Sequence, residues 1–489
     1  MGTTETRETT TTKLARIAKL SASDRLKRFD SLMHLFNEES LAVCFHGLNG
    51  RRAVGVDGVN KAEYGEQLEP NLKELIARMK RMGYRPGPVR QVLIPKGDKA
   101  GAMRPLGISN FEDKLVQGVM RQVLESIYEP LFLPGSYGFR PGRGCHDAVR
   151  GLLQHLYRKP VQTVIDVDLA KFFDTIDHEL LLGMLREKIN DPKLLRYVQR
   201  MFKSGVLAEG DLTVGDEGVP QGSLCSPVLA NIYAHHVIDI WLEEVVKSHC
   251  AGEVAWFRYA DDLVVCCEYE RDALRVRKAL GGRLARYKLA LNEQKTRLVG
   301  FARPRNGDPS PDAFDFLGFT FYWGRSRKGA PTPKVKTCGK RMRSKLKAVN
   351  IWGRSIRSQF PLQHIWAVFC SKLRGHIHYY GVSFNFRAVQ NFQMKATRIL
   401  FKWLNRRSQR RSMNWEQFAL YIRANPLPKV RDRFKHVRHR RGTTQFAHLR
   451  PFLLQHALEV GFSHKRSLKM SLVVIALGFQ PDGLNWYRT

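Results

Sequence analysis

Long apolar runs and paired cysteines are both scarce in this 489-residue chain. No run of about 18 uncharged apolar residues occurs, which argues against a membrane-spanning helix. The first twelve residues, MGTTETRETTTT, are too polar for a signal peptide, so we expect a cytoplasmic protein. The eight cysteines include no C-x-x-C spacing, which argues against a zinc ribbon and is typical of reduced thiols.

Acidic residues are missing from a long part of the chain. The whole sequence has 81 Lys and Arg against 45 Asp and Glu, a net charge of +36. The 100 residues from Phe316 to Trp415 contain no Asp or Glu. A solvated helical surface would mix both signs to limit self-repulsion. The excess therefore predicts a polyanionic partner. Nucleic acid is favoured over a membrane surface, because no basic helix has a wholly apolar face.

Periodicity and turn residues predict an α+β domain followed by a helical one. Residues 1–12 are polar and Thr-rich, so we expect them to be disordered. Residues 13–85 read mostly as helices, and 86–108 as two short strands around a polar turn. Apolar residues at three-to-four spacing predict a basic three-helix unit from about 340 to 435. Strands and helices in mixed order before that unit indicate an α+β sheet domain.

Two acidic clusters lie within apolar strand patterns. Asp261 and Asp262 are adjacent in RYADDLVV, at the tip of a β-hairpin predicted over 254–267. Asp166 and Asp168 alternate along the predicted strand TVIDVDL and therefore share a face. If this strand lies beside the hairpin, Asp168 and Asp261 face each other, and converging carboxylates need a cation. Two Mg²⁺ ions about 4 Å apart would clamp both oxygens of a phosphoryl transfer such as nucleotide addition.

Six blocks occur in the order typical of one family, the group II intron-encoded reverse transcriptases. They are GSYGFRPGRGCHDAV (135–149), VPQGSLCSP (219–227), LNEQKT (291–296), FDFLGF (314–319), KLRGHIHYYG (372–381) and LNRRSQRRSMNWEQF (404–418). Together with Tyr-Ala-Asp-Asp between apolar strands, they make the chain resemble this family over about residues 50–435. The resemblance implies a right-hand polymerase, with fingers and palm in 13–325 and an α-helical thumb and maturase domain in 326–435.

The resemblance also implies roles for individual residues. Asp168, Asp261 and Asp262 would hold two Mg²⁺, with Mn²⁺ as a substitute, and Lys295 would donate a proton to pyrophosphate. The implied nucleotide-binding residues are Lys96, Arg104, Arg140, Phe173, Gln221 and Gly222. The implied primer grip is Phe316, Leu317, Gly318 and Phe319.

Steric arguments accompany three of these roles. The Phe173 ring would leave no room for a 2′-hydroxyl and so select dNTPs. Gly222 and Gly318 would let the backbone approach the nucleotide and the primer. This chain has Ser223 where the family usually has a second glycine. For Asp174, as for the nearby Asp177, a turn or cap role is the favoured interpretation.

The C-terminal residues 436–489 form a basic tail with five histidines and no cysteine. The family often continues into a His/Cys-rich endonuclease, which needs cysteine pairs for a structural metal. We therefore predict no endonuclease and interpret the histidines as surface or RNA-facing residues.

The implied function is an RNA-directed DNA polymerase encoded by a group II intron. It would copy an RNA template into DNA from a DNA primer with dNTPs, and bind intron RNA to assist splicing and mobility, without a membrane partner. Two alternatives stay open. One is an intron-independent polymerase of the same branch, used in defence, repair or spacer acquisition. The other is a non-catalytic RNA-binding splicing factor, against which the intact Asp168, Asp261, Asp262 and Gln221 argue.

Overall fold

Helices occupy the first part of the chain, as the apolar spacing predicts. The computed structural model describes residues 9–95, 103–305, 308, 310–407 and 413–430. The first four helices are α1 (Thr10–Ser23), α2 (Glu38–Gly47), α3 (Lys61–Glu66) and α4 (Leu68–Lys80), with a 3₁₀ turn at Met33–Leu35.

Helix α1 begins earlier than the sequence predicts. Thr9 caps it by accepting a hydrogen bond from the Thr12 N–H. The N–H and the hydroxyl of Thr10 both donate to the Glu39 carboxylate on α2. Residues 10–12 are therefore helical rather than disordered, because their turn is capped and tied to a second helix. Residues 1–8 lie outside the described part of the chain.

The described strands form three sheets. In chain order they are β1 (Val89–Pro95), β2 (Met103–Ile108), β3 (Thr163–Asp168), β4 (Val206–Ala208), β5 (Asp211–Thr213), β6 (Val254–Tyr259), β7 (Asp262–Cys267), β8 (Arg297–Gly300), β9 (Phe314–Phe316), β10 (Phe319–Arg325) and β11 (Pro331–Thr337). The N-terminal sheet has the order β2-β1-β4-β5, the central sheet β6-β7-β3-β8 and the C-terminal sheet β11-β10-β9. Both predicted hairpins, β1–β2 and β6–β7, are confirmed.

The remaining helices cover the sheets and form the C-terminal unit. They are α5 (Phe111–Tyr128), α6 (Cys145–Arg158), α7 (His178–Arg186), α8 (Pro192–Phe202), α9 (Ser226–Ala234), α10 (Lys247–His249), α11 (Glu270–Arg286), α12 (Gly339–Ile356), α13 (Leu362–Tyr380), α14 (Phe386–Leu404) and α15 (Trp415–Ala424). Two π-helical turns, His235–Asp239 and Trp241–Val246, connect α9 to α10. Among the described helices, none is both long and apolar enough to cross a membrane.

The C-terminal helical unit has four helices in its described part rather than the predicted three. Helix α15 is the additional one. Asn414 and Gln417 form a capping box at its start, and Phe418 is fully buried against the rings of Trp366 and Phe401. The boundary predicted between residues 325 and 326 falls in the β10–β11 turn, and the helices begin only at Gly339. The predicted tail, 436–489, lies outside the described residues.

One apolar core joins the central sheet, the C-terminal sheet and the helical unit. Its buried members include Val164, Phe257, Val264, Phe316, Phe319, Phe321, Tyr380 and Val389. Because β3, β7 and the β9–β10 turn all contribute to it, their relative positions are set by close packing. The architecture is therefore the mixed α+β arrangement that the sequence predicts.

Candidate active site

The two acidic clusters meet at one edge of the central sheet, here meaning the side where the inner strand β3 ends and the inner strand β7 begins. β3 pairs antiparallel with β7, and Asp168, the last residue of β3, lies opposite Asp262, the first residue of β7. Tyr259 pairs with Asp262, so a two-residue turn of Ala260 and Asp261 joins β6 to β7. The predicted neighbourhood of the strand and the hairpin is therefore confirmed. Asp262, rather than Asp261, is the direct cross-strand neighbour of Asp168.

A fully buried ion pair lies behind this turn. Arg258 on β6 donates from Nε and Nη2 to the two carboxylate oxygens of Asp239, each at 2.6 Å, and neither side chain is exposed. Burial alone would raise the pKa of Asp239, but the Arg258 guanidinium, with a smaller contribution from His235, outweighs burial and lowers that pKa. Neither residue is among those predicted from the sequence. The available signal was a charged arginine within the apolar run VAWFRYADDLVV, which requires a buried acid.

Lys295 lies beside the first of the carboxylates. Its Nζ is 2.8 Å from Oδ2 of Asp168, whose side chain is about one-third exposed. The backbone N–H of Asn292 donates to the Asp168 carbonyl at 2.8 Å, which ties the 292–296 segment to the end of β3. The structure thus brings Lys295 to the predicted site, and its role as a proton donor stays a prediction.

Asp166, the other carboxylate of β3, forms an ion pair with an arginine of the neighbouring strand. Its Oδ2 accepts a hydrogen bond from Nη2 of Arg297 on the neighbouring β8, at 2.8 Å. Burial raises the pKa of Asp166, and Arg297 opposes that shift only in part. Asp166 and Asp168 thus each pair with one basic side chain, and the choice of Asp168 as the catalytic carboxylate stays a prediction.

The donor chemistry at this edge suits a hard divalent cation, because Asp168, Asp261 and Asp262 supply only oxygens. Within the described ranges, no three His, Cys, Asp or Glu side chains meet closely enough to hold a metal ion. The residue types therefore fit the predicted metal, whereas a complete ligand set is not assembled in the described part.

The basic residues predicted to bind the nucleotide differ in their surroundings. Lys96 lies outside the described residues, and Arg104 is half-buried on β2, paired in register with Ile94. Arg140 is buried, with its guanidinium bound to both carboxylate oxygens of Glu129 and to the carbonyl of Ser136. The N–H groups of Arg140 are thus engaged within the protein, which argues against contact with the triphosphate, and its role there stays a prediction.

Phe173 follows β3 in a 3₁₀ turn and is half-buried, whereas the adjacent Phe172 is buried in the core. The Phe173 ring packs edge-on against Phe139, with 6.2 Å between ring centroids. Its partial exposure beside the carboxylates is compatible with the predicted contact to a sugar. Nearby Asp177 caps α7 through the Leu180 N–H, as the cap interpretation predicts.

The loop that contains Gln221 and Gly222 binds β2. The Gly107 N–H donates to the Gln221 carbonyl at 2.6 Å. Gly222 has a φ of 117°, and a Cβ there would lie 2.3 Å from the Gly107 carbonyl oxygen. The structure therefore explains this glycine by the approach of β2, which differs from the predicted reason, a nucleotide.

The predicted primer grip is the turn between β9 and β10. Leu317 and Gly318 both have positive φ, 50° and 75°, and the rings of Phe316 and Phe319 are buried. Tyr379 donates from its hydroxyl to the Leu317 carbonyl at 2.9 Å. A Cβ on Gly318 would lie 2.9 Å from the hydroxyl of Tyr380, so α13 accounts for this glycine.

Comparisons with known proteins identify the family. The sequence model described as reverse transcriptase (RNA-dependent DNA polymerase) matches residues 94–321. Protein YkfC of Escherichia coli (strain K12) is 32% identical over 352 residues, which are 64% of this chain and 88% of that protein. Group II intron-encoded protein LtrA of Lactococcus lactis subsp. cremoris is 32% identical over 287 residues, 58% of this chain and 47% of that protein.

A plant protein matches a shorter part. Nuclear intron maturase 3, mitochondrial, of Arabidopsis thaliana is 34% identical over 155 residues, 30% of this chain and 21% of that protein. The chain thus spans most of YkfC but less than half of LtrA. It belongs to the reverse transcriptase family, and it is similar to proteins named for group II introns and intron maturases.

Proposed function

We propose that the chain copies RNA into DNA at the edge of the central sheet and binds group II intron RNA to assist splicing and mobility. One observation carries the polymerase part: β3 and the β6–β7 turn deliver Asp168, Asp261 and Asp262 to the same edge. In this proposal the chain is a right-hand polymerase. The N-terminal sheet and its helices act as fingers, the central sheet as palm, and α12–α15 as thumb and maturase domain.

The three carboxylates would hold two divalent cations, with Mg²⁺ preferred because every donor is an oxygen. When bound, such ions neutralise charge on the attacking and leaving oxygens of nucleotidyl transfer. Asp168 and Asp262 come from neighbouring strands, so backbone hydrogen bonds of the sheet keep their separation constant. Lys295 would hold a proton next to Asp168, where it is available to the leaving pyrophosphate.

The proposed substrates are dNTPs, and three residues would distinguish and orient them. The half-exposed Phe173 ring stands beside the end of β3 and would exclude a ribose 2′-hydroxyl. Arg104 on β2 would pair with the triphosphate, and Gln221 would abut the nascent base pair from the loop that β2 binds.

Charge supports the proposed RNA and DNA partners. No acidic residue occurs from Phe316 to Trp415, a segment that contains α12, α13 and α14. Several of the basic residues are exposed on α12, including Lys340, Arg343 and Lys347. Such a surface suits recognition of RNA by its phosphates and shape rather than by base edges.

Primer extension on an RNA template with dNTPs and Mg²⁺ tests the polymerase. We expect extension by the wild type and a loss of at least about 100-fold in Asp261→Asn, with RNA affinity unchanged, because the substitution removes charge at the metal and not along the phosphates. Asp216→Asn is the matched control, since the Asp216 side chain is 93% exposed and pairs with Lys203 at the surface. It should extend primers like the wild type.

Two results would contradict the proposal. Extension by Asp261→Asn at the wild-type rate would exclude the carboxylate assignment. Tight, salt-sensitive RNA binding without extension by any variant would leave RNA binding as the function. The identity of RNA that copurifies with the wild type distinguishes an intron partner from any other RNA.

A further inference from the structure

Every N–H group of the Arg258 guanidinium donates a hydrogen bond within the protein. Besides the two bonds to Asp239, Nη2 donates to the Ser136 hydroxyl at 2.8 Å, and Nη1 donates to the Asn231 side-chain oxygen at 3.1 Å. The second Nη1 bond goes to the carbonyl of Ala260, at 3.0 Å. These contacts satisfy all five N–H donors of an arginine.

The Ala260 carbonyl belongs to the peptide group that connects Ala260 to Asp261. Ala260 has a φ of 57°, a left-handed conformation that is unfavourable for a residue with a Cβ. A turn of this kind persists only when its surroundings enforce it. The bond from Arg258 fixes the orientation of the peptide that carries Asp261.

The 135–144 loop makes a second contact with the same turn. A Cβ on Gly138 would lie 2.3 Å from the Ala260 nitrogen, so the loop backbone touches the turn directly. Asn231 donates from Nδ2 to the Gly138 carbonyl at 2.7 Å, and its oxygen accepts from Arg258. The 135–144 loop, helix α9 and the β6–β7 turn therefore all contact the guanidinium of Arg258.

Asp239, the counter-ion of Arg258, lies in a segment with an uncommon backbone conformation. Asp239 ends a π-helical turn, His235–Asp239, that follows α9. Such turns are rare, and they are often found at functional sites. Hydrophobic replacements of buried ion pairs are often neutral or stabilising, so stability alone does not explain why this pair is present.

We infer that Arg258, with Asp239 as its counter-ion, is a positioning residue that holds the Ala260–Asp261 peptide in the conformation needed for metal binding and catalysis. The inference rests on the proposed function of this turn. Arg258 contacts no reacting atom in this scheme. It acts through the backbone of the residue that precedes Asp261.

The test uses the full chain with Arg258→Met and Asp239→Leu combined, which removes both charges together and with them the bond to Ala260. Ser136→Ala is the matched control, because it removes one Arg258 partner but leaves the bond to the turn. We expect the folded double variant to lose about 100-fold in kcat, the size of effect seen when a catalytic group is misplaced by 1 Å. The KM for dNTP should change by less than about threefold.

Binding of Mn²⁺ to the free protein, followed by electron paramagnetic resonance, gives a readout without turnover. We expect the double variant to bind Mn²⁺ at least about tenfold more weakly than the wild type, since Asp261 is no longer held, while Ser136→Ala binds normally. A folded double variant with wild-type kcat and Mn²⁺ affinity would overturn the inference.

Arg258→Lys keeps the test decisive if the double variant does not fold. Lysine can still neutralise Asp239, but its ammonium cannot span the carboxylate and the Ala260 carbonyl as the guanidinium fork does. A folded Arg258→Lys protein with unchanged kcat and Mn²⁺ affinity rejects the positioning role. If the wild type itself fails to extend primers, the proposed function fails, and Mn²⁺ binding still decides the inference.

Discussion

Adjacent phenylalanines at the end of β3 have different environments. Phe172 is 3% exposed and belongs to the core that also contains Ile165 and Val167. Phe173 is half-buried and meets Phe139 edge-on. Only Phe173 therefore has part of its ring available for the proposed contact with a nucleotide, although the two residues are chemically identical.

Phe173→Ala tests the proposed selection of deoxynucleotides. Removing the ring opens space for a ribose 2′-hydroxyl, so we expect ribonucleotide incorporation relative to deoxynucleotide incorporation to rise by about tenfold or more. Single-nucleotide extension with matched dNTP and rNTP measures this ratio.

Phe172→Leu is the control, because it changes the same residue type one position away. It should lower the free energy of unfolding by about 1 kcal/mol through altered core packing and leave the nucleotide ratio unchanged. A wild-type ratio in Phe173→Ala would assign that ring to packing alone.

Sequence reasoning reaches the carboxylates and misses the residues that hold them. Asp168, Asp261 and Asp262 are recognisable because alternation and adjacency are local patterns. Asp239 lies 19 residues before Arg258 and reaches it from a π-helical turn, which no sequence period indicates. The pairing of Arg140 with Glu129 is likewise missed, because Glu129 lies on another element of the fold, beyond any local pattern.

At the scale of elements, the Gln221–Gly222 loop joins the N-terminal sheet to the end of β3. The Gln221 carbonyl of this loop accepts a hydrogen bond from the Gly107 N–H of β2. On the other side, the Val219 N–H donates to the Phe173 carbonyl at 2.8 Å. A shift of β2 would therefore be transmitted to the ring proposed to select the sugar.

Gly222→Ala should break this junction. The Cβ would clash with the Gly107 carbonyl at a φ of 117°, so we expect a loss of about 2–3 kcal/mol in the free energy of unfolding and a higher KM for dNTP. Gly210→Ala is the matched control, because its φ is 101° and a Cβ there meets nothing within 4 Å. Denaturant unfolding and extension kinetics measure both. Equal losses in the two variants would refute the contact with β2.

Elements with strong local signals are predictable from the sequence, and those defined by distant partners are not. The β6–β7 hairpin has continuous apolar runs on both sides of its acidic turn, and that turn lies where the sequence predicts. Strands β4 and β5 have only three residues each and exist because β4 pairs with β1, more than 100 residues away. Helix α15 is stabilised by Phe418 packing on α13 and α14, which the sequence alone does not display.

At the scale of the whole molecule, α13 is attached to the sheets by backbone contacts as well as by apolar packing. His146 of α6 bonds through Nε2 to the Tyr379 carbonyl at 2.7 Å, and the Tyr379 hydroxyl reaches the Leu317 carbonyl. The proposed primer-grip turn, the proposed palm and the first half of the proposed thumb therefore share one connected interface. This arrangement joins α13, one of the acid-free helices, to the same body that contains the central sheet.

Helix α12 concentrates part of that positive charge on one face. Lys340, Arg343 and Lys347 are all exposed, and their spacing of three and four residues places them on the same side of the helix. Helix α11 carries Arg271, Arg275 and Lys278 at similar spacing and exposure, but Glu270 and Asp272 accompany them. The two helices therefore provide matched sets of three cations in opposite electrostatic settings.

Neutralising the α12 set should weaken RNA binding in a salt-dependent way. Each phosphate that is no longer neutralised by the protein lowers the slope of log K against log salt by about 0.7–0.9, so Lys340→Gln, Arg343→Gln and Lys347→Gln together should reduce it by about two. The same three changes to glutamine on α11 should leave the slope nearly constant, because that face is not proposed to track phosphates. Fluorescence anisotropy with a structured RNA between 50 and 300 mM salt, roughly the range in which counterion release is measured, gives both slopes. Equal reductions would mean that net charge alone, and not the α12 face, attracts the RNA.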